Sequence, residues 1–379
     1  MIIRNGMVYQ EDKSFAKQDL YLENGRIVDS LNEVTDRTEI DAEGLLVLPG
    51  LIDIHSHGAV GHDFSDGSLE GLKEILAYEY AHGITSYCPT SMTIEKEELR
   101  RIFKEMGGFA DNQEKDQMER MSHVVGINME GPFLDVSKKG AHRAECIMAP
   151  DAAFFRECNE ACGGLIRLVT LAPNVEGAIE FTRELHDEVV ISLGHSGTDY
   201  DTAKKALEAG ADHVTHLFNA MPPLGHRAPG LIGAASEDEH CMAELICDGI
   251  HVHESMVRAA FKLFPGRIVL ISDSMRATGM ENGTYDLGGQ QVTVNGKLAT
   301  LADGTIAGSA TNLFDCMRTA VSFGIPMGEA IAAATMNPAR SIGIYDEVGS
   351  LVPGKRGDVI LTDSKLGLVR VVRGALSCR

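Results

Sequence analysis

The sequence of 379 residues predicts a (β/α)8 TIM-like barrel with a small β-sandwich domain built from both chain termini. From about residue 47 onward, short apolar runs alternate with helical patterns, which is the order of elements in a parallel barrel. Both ends of the chain instead consist of short segments bounded by turns. No G-x-G-x-x-G follows the first apolar run, which disfavours the alternative of an open doubly wound sheet.

The predicted barrel strands are short apolar runs bounded by turn residues. They are 46–57, 83–90, 123–131, 166–173, 189–196, 213–218, 242–249 and 267–274. Helical patterns between them include 69–82, 95–106, 176–187, 199–209 and 254–264. The pattern at 199–209 has the strongest signals, because Thr198 or Asp199 can cap its start and Gly210 ends it.

The two ends of the chain are predicted to pair into one small β domain. Residues 1–47 and 348–379 form this domain, and residues 48–347 form the (β/α)8 barrel. Asn-Gly pairs in the N-terminal segment suit the turns of hairpins. Neither terminal piece is expected to be stable alone, so pairing them beside the barrel is the simplest arrangement.

Composition and charge indicate which classes of partner the protein can bind. Hydrophobic residues make up 44% and charged residues 23%, as in ordinary soluble globular proteins. The formal net charge of −21 argues against nucleic acid and anionic membranes as partners, but a few local cations could still bind a phosphorylated small molecule. No signal pattern or membrane-spanning run is found, and the eight cysteines do not resemble a disulfide framework. We therefore expect a cytoplasmic protein.

Polar residues stand where the predicted strands end, which is where barrel enzymes build their active sites. Each one alone could be a hydrogen-bonded buried histidine or a helix cap. Their recurrence at one rim favours a shared site. The set comprises His55, His57, Glu130, His195, His216, Asp248, His251 and Asp273.

Imidazole and carboxylate ligands suit zinc or ferrous iron. Glu130, His195 and His216 would hold one ion and leave an open coordination position. His55 and His57, which point the same way on a strand, would add a second position with Glu130 as the bridge. The sequence therefore predicts one or two divalent ions per subunit, zinc or iron. Asp273 is then available to move a proton as general base and acid.

These motifs resemble the amidohydrolase superfamily and, within it, the N-acetylglucosamine-6-phosphate deacetylases. The matching segments are LPGLIDIHSHG, MEGPFL, GHSGT, THLFNAM, DGIHV and SDSMRATG. The resemblance implies hydrolysis of N-acetyl-D-glucosamine 6-phosphate to D-glucosamine 6-phosphate and acetate, in amino-sugar catabolism and cell-wall recycling. It further implies that a metal-bound hydroxide attacks the amide carbonyl while Asp273 acts as general base and then as general acid.

The resemblance also implies a set of substrate-binding positions. His142 would polarise the acetamide carbonyl or bind a sugar hydroxyl, and His251 and Arg227 would bind the phosphate. Arg227 would reach the neighbouring active site of a homodimer. The whole set comprises Ala141, His142, Asn219, Ala220, Arg227, His251, Ile306, Ala307 and Gly308.

Two other classes of function remain as alternatives. The first is a different amidohydrolase reaction: deamination, ring opening of a cyclic amide, or deacetylation of the galactosamine analogue. The fourth predicted strand contains no lysine, which argues against cyclic-amide hydrolases that rely on a carbamylated lysine. The second is a non-catalytic scaffold, which the presence of all the metal ligands and Asp273 disfavours.

Overall fold

A barrel of eight parallel strands forms the centre of this computed structural model, which describes residues 1–110, 112–113 and 120–373. The strands in chain order are β1 (Ile2–Tyr9), β2 (Phe15–Glu23), β3 (Arg26–Val28), β4 (Glu39–Asp41), β5 (Leu46–Pro49), β6 (Leu51–Ser56), β7 (Gly58–Ala59), β8 (His62–Asp63), β9 (Ile84–Ser91), β10 (His123–Val124), β11 (Ile127–Phe133), β12 (Ile166–Leu171), β13 (Val190–Leu193), β14 (His213–Val214), β15 (Met242–Ile246), β16 (Ile268–Ile271), β17 (Gly283–Leu287), β18 (Gln290–Asn295), β19 (Leu298–Thr300), β20 (Val359–Thr362) and β21 (Leu368–Val372). The α-helices are α1 (Leu69–Ala81), α2 (Lys96–Ala110), α3 (Ala152–Ala161), α4 (Ala178–Leu185), α5 (Tyr200–Glu208), α6 (Gly230–Glu237), α7 (Glu254–Leu263), α8 (Leu313–Ser322), α9 (Met327–Ala334) and α10 (Met336–Ser341).

The barrel strands are β6, β9 and β11 to β16, each paired in parallel with its neighbour in this order. The barrel closes just beyond the ends of β6 and β16. There the Asp273 backbone N–H donates to His55 O at 2.9 Å, and the His57 N–H donates to Ser274 O at 2.8 Å. This closure brings Asp273 beside two histidines that lie more than 200 residues earlier in the chain. The predicted barrel is confirmed.

Apolar residues occupy both faces of the barrel strands, because one face lies inside the barrel and the other lies under the helices. Ile52 and Ile246 pack in an inner cluster that also contains Ala339 of α10. Leu51 and Leu245, one residue away on the same strands, belong to the larger outer cluster shared with the surrounding helices. Two hydrophobic layers therefore hold the strands in place.

The predicted helices are present with small shifts at their ends. Helix α5 begins at Tyr200 because the Asp199 side chain accepts a hydrogen bond from the Thr202 N–H at 2.8 Å, so Asp199 is the N-cap. Strand β14 is much shorter than the predicted 213–218, because the backbone turns to positive φ at His216. No helix among the described residues has both the length and the apolar character needed to cross a membrane.

Both ends of the chain form one seven-stranded sheet, in the order β21-β20-β5-β1-β2-β3 with β4 also beside β1. Strand β20 runs antiparallel to β5, which ties the C-terminal segment to the N-terminal one. Ile3, Val47 and Val359 pack together in the core of this domain. The small β domain from both termini is confirmed, and the domain limits at residues 47 and 348 stay a prediction.

A three-stranded antiparallel sheet, β17 to β19, lies between β16 and α8 and was not predicted. Its apolar residues Leu287 and Val292 pack against Met92, Ala141 and Met275. These three residues lie in the loops that follow the second, third and eighth barrel strands. The inserted sheet therefore covers the same rim on which the predicted site residues stand.

Candidate metal centre and substrate cleft

Glu130, at the end of β11, is the central carboxylate of the site. Its Oε1 lies 3.1 Å from the Nε2 atoms of both His195 and His216. Its Oε2 lies 3.2 Å from His57 Nε2, and His55 Nε2 is 3.5 Å from Oε1. The structure thus brings the four predicted metal-binding histidines together around Glu130, the fifth predicted ligand.

Two groups of these residues could hold a metal ion: His55, His57 and Glu130, and Glu130, His195 and His216. Within each group the ligating atoms all lie within 4.8 Å of one another. Among the described residues, the buried His55 Nε2 has no hydrogen-bond partner, and the Nε2 atoms of His195 and His216 face each other at 2.9 Å. Because buried polar atoms are normally satisfied, an orphan nitrogen and two facing imidazoles fit a divalent cation.

The charges of the centre stabilise one another. Burial raises the pKa of Glu130, but the charge of His55 and the hydrogen bond with His142 outweigh burial and hold this pKa well below its usual range. Burial lowers the pKa of His57, but hydrogen bonds with Asp273 and Glu130 outweigh burial and raise it to about 10. Glu130 is therefore ionised at neutral pH, the state in which a carboxylate binds cations.

Asp273, just beyond β16, faces this centre beside the two histidines of β6 and its following turn. Its Oδ1 lies 3.4 Å from His57 Nε2 and 3.6 Å from His55 Nε2. Burial raises the pKa of Asp273, yet the hydrogen bond with His57 and the charge of His55 lower it to about 2. An ionised carboxylate at the edge of the cleft can accept a proton from a water molecule at the centre.

At the metal centre, His195, His216 and Asp273 have a left-handed backbone that non-glycine residues rarely adopt. The φ angles are +47° at His195, +28° at His216 and +49° at Asp273. Such conformations cost on the order of 1–3 kcal/mol each and persist where surrounding contacts hold them. Each residue follows the end of a barrel strand, so the turn aims the side chain toward the centre instead of continuing along the strand.

His142 is a neutral hydrogen-bond donor in the site. Its Nδ1 accepts the Thr93 N–H at 3.1 Å, so the ring proton is on Nε2, which lies 3.2 Å from Glu130 Oε2. Burial lowers the pKa of His142 to about 4 despite the nearby charge of Glu130. This imidazole can therefore donate to an uncharged ligand oxygen at neutral pH.

A cleft of about 570 Å³ opens above the metal centre. The predicted residues that line it are His57, Glu130, Ala141, His142, His195, His216, Asn219, Ala220, His251, Asp273, Ile306, Ala307 and Gly308. His55 is buried behind them. Arg227 lies exposed on the loop after β14 and does not line this cleft. Its place in a neighbouring subunit's site stays a prediction.

Sequence reasoning missed several residues at the site, among them Lys139, Glu244 and Gln290. Lys139 lines the cleft next to Gly140, and the Lys-Lys pair before that glycine was the available signal. Glu244 lies buried on β15 behind His55, where its only signal was an acidic residue inside an apolar run. Gln290 of the unpredicted sheet donates its side-chain N–H to Ala141 O, and no sequence pattern indicated this contact.

The fold and the site together define a class: a parallel barrel with histidine and carboxylate ligands at the strand ends is the architecture of a metal-dependent hydrolase. The Amidohydrolase family model matches residues 46–375. The chain therefore belongs to the amidohydrolase family, and the resemblance inferred from the motifs is confirmed.

Particular relatives are similar over nearly the whole chain. The N-acetylglucosamine-6-phosphate deacetylase of Bacillus subtilis is 38% identical over 331 residues, which is 86% of this chain and 83% of the relative. The N-acetylgalactosamine-6-phosphate deacetylase of Escherichia coli O157:H7 is 34% identical over 90% of this chain and 89% of its own. A variant of the Mycobacterium smegmatis N-acetyl-D-glucosamine-6-phosphate deacetylase, in complex with N-acetyl-D-glucosamine-6-phosphate, superposes with a TM-score of 0.89 at 31% identity, covering 98% of this chain and 97% of that one.

Proposed function

We propose that this chain hydrolyses the acetamide of N-acetyl-D-glucosamine 6-phosphate, giving D-glucosamine 6-phosphate and acetate in amino-sugar catabolism and cell-wall recycling. The observation that carries the proposal is the convergence of Glu130, His195 and His216 beside an ionised Asp273. Relatives with this activity match the chain over most of its length. A water nucleophile, a proton carrier and a carbonyl polariser are the parts that amide hydrolysis requires.

Asp273 and His142 have separate roles in the proposed reaction. A divalent cation at this centre supplies Lewis acidity, which lowers the pKa of water and polarises a carbonyl oxygen. Asp273 takes a proton from the attacking water and then returns it to the leaving amine. His142 donates its Nε2–H to the amide oxygen, where negative charge develops in the transition state.

The sugar phosphate is held away from the reacting amide. His251 lines the cleft with its Nδ1 engaged by Asp248 Oδ2 at 2.8 Å, which leaves Nε2 for the phosphate. Lys139 adds positive charge to the same cleft, and Asn219 and Ala220, which also line it, would contact the sugar phosphate. Anchoring the phosphate positions the acetyl group against the metal centre, which lowers the entropic part of the barrier.

The cofactor in this proposal is zinc or iron, with one or two ions per subunit. Imidazole and carboxylate ligands accept either metal, so the donor set alone does not choose between them. The protein is proposed to be a homodimer in which the exposed Arg227 binds the phosphate in the neighbouring site. A cytoplasmic location is part of the proposal, because the seven cysteines of the described residues are free thiols, as reducing compartments maintain.

An acetate-release assay tests the proposal directly. Protein loaded with zinc or iron is incubated with N-acetylglucosamine in its 6-phosphorylated and unphosphorylated forms. We expect acetate release with a strong preference for the phosphorylated sugar, because the phosphate contacts fix the amide in place. No acetate release from the phosphorylated sugar by metal-loaded protein would contradict the proposal.

Deacetylation of the galactosamine epimer is the second candidate, favoured by the 34% identity to the Escherichia coli relative. Both reactions use the same metal centre and differ only in the sugar hydroxyl that the cleft must accept. Comparing kcat/KM on the two epimeric sugar phosphates distinguishes the two reactions. We expect the gluco isomer to be the better substrate.

A further inference from the structure

Glu244 lies fully buried on β15, below the candidate metal centre and outside the ligand set. One of its oxygens, Oε2, lies 2.9 Å from His55 Nδ1. The same oxygen accepts the backbone N–H of His216 at 3.0 Å. A single buried oxygen therefore contacts one ligand from each of the two candidate metal positions.

The contact with His55 determines which of its nitrogens can bind a cation. A carboxylate oxygen accepts hydrogen bonds, so the ring proton of His55 stays on Nδ1. In the neutral imidazole that binds a metal ion, the lone pair of Nε2 is then directed at the centre, where that atom has no hydrogen-bond partner among the described residues. Rotation of the ring would break the contact with Glu244 and withdraw Nε2 from the other ligands.

The contact with His216 acts on the backbone. His216 has a φ of +28°, outside the usual range for a non-glycine residue, and neighbouring contacts must hold this conformation. Two bonds from Glu244 contribute: its Oε2 accepts from His216 N, and its backbone O accepts from Leu217 N at 2.8 Å. Only the first of these bonds depends on the side chain.

We propose that Glu244 is a positioning residue that orients His55 and His216 together and so couples the two candidate metal positions. The inference rests on the proposed metal-dependent function and concerns metal affinity, not the substrate. The neighbouring His213 does not compete for Glu244, because its Nδ1 lies 4.0 Å from Glu244 Oε1 and instead hydrogen-bonds Ser192 Oγ at 2.9 Å. Partners that orient metal-binding histidines typically change metal affinity or activity about 10–100-fold when mutated.

The test compares zinc affinity in Glu244→Gln and Glu244→Leu with that of the wild type. Full-length protein is stripped with a chelator and titrated with zinc against a chromophoric competitor. We expect Glu244→Leu to weaken zinc binding about 10–100-fold, because it removes the shared acceptor. Glu244→Gln keeps an acceptor oxygen of the same shape without the charge, so we expect a smaller but measurable loss. The cobalt-substituted variants should show altered visible absorption, which reports ligand geometry.

Glu79→Gln is the matched control, since Glu79 is also a fully buried glutamate and its side chain makes no hydrogen bond to a candidate ligand. We expect its zinc affinity and cobalt spectrum to match the wild type. If Glu244→Leu does not fold, Glu244→Gln decides the question. The inference is overturned if Glu244→Gln binds zinc as tightly as the wild type, or if Glu79→Gln loses as much affinity.

Two further measurements distinguish a positioning role of Glu244 from a purely structural one and from failure of the proposed function. A purely structural role would lower the melting temperature of the stripped Glu244 variants but leave the zinc affinity of the folded protein unchanged, which would also overturn the inference. Failure of the proposed function would appear differently: wild-type protein would bind zinc with the Glu244 dependence described, yet release no acetate from the sugar phosphate.

Discussion

Glu130 directs each of its two oxygens at different partners, and this division shapes the chemistry of the site. Oε1 faces His195 and His216, whereas Oε2 faces His57 and His142. A carboxylate placed in this way can serve one ion or bridge two. It also carries a buried negative charge that requires a cation or protonated imidazoles as counter-charge.

Asp273→Asn is expected to abolish most turnover while zinc stays bound. Asparagine has nearly the same shape but cannot accept a proton from water, and general acid–base groups typically contribute about 10²–10⁴-fold to rate. Acetate release and zinc content per chain are measured on the same sample. Full activity of this variant would contradict the role assigned to Asp273.

His142→Ala is expected to lower kcat about 10²–10³-fold, as removal of one oxyanion donor does, with little change in zinc content. Its Nε2 carries the ring proton and therefore donates a hydrogen bond rather than binding the cation. His251→Ala provides the comparison, because loss of a phosphate contact should raise KM instead. Equal changes in KM for both variants would argue against separate roles.

The sequence was sufficient to predict that Glu130, Asp273 and the four metal-binding histidines meet, because parallel barrel strands bring their ends to one rim. His55, Glu130 and His195 were all identified from their places after apolar runs. Glu244 was not, because an acid inside an apolar strand has no local signature of the ligand it supports. Gln290 was missed because its contact with Ala141 depends on a tertiary fold of the inserted sheet.

At the scale of the elements, helix α5 is placed by its N-cap. Asp199→Ala is expected to lower the free energy of unfolding by about 1 kcal/mol, because the Thr202 N–H loses its acceptor. Chemical denaturation measures the change. Asp201→Ala, which alters the first turn of the same helix without removing the cap, is the control and should have the smaller effect.

The inserted sheet β17 to β19 is the part of the fold that the sequence pattern did not predict. Its strands are short and partly exposed, and Val292 and Val294 face inward in an alternating pattern typical of a hairpin. The hairpin was nonetheless not predicted, since it interrupts the strand-and-helix alternation that identifies the barrel. The sheet packs against Met92, Ala141 and Met275 and so links loops of three barrel strands.

At the scale of the whole molecule, the site depends on contacts between distant parts of the chain. Strands from both termini form one sheet, and the barrel closes between β6 and β16. In the proposed homodimer the site would also depend on a second chain, because Arg227 is exposed and does not line the cleft of the chain it belongs to.

Mixing two variants, each inactive at a low concentration of the sugar phosphate, tests that arrangement. Arg227→Ala and Asp273→Asn subunits are unfolded together, refolded and assayed for acetate release. If Arg227 acts across a two-fold interface, each mixed dimer contains one intact site, and about a quarter of wild-type activity should return. No recovery in a refolded dimer, with recovery in a wild-type control, would place Arg227 outside the neighbouring site.

The central claim, that distant side chains converge on a divalent cation, is tested most directly by anomalous diffraction from crystals grown with zinc or iron. We expect a peak about 2.0–2.2 Å from the ligating atoms of Glu130, His195 and His216. A second peak shared with His55 and His57 would indicate two ions. Absence of metal at these residues in protein that releases acetate from the sugar phosphate would contradict the account.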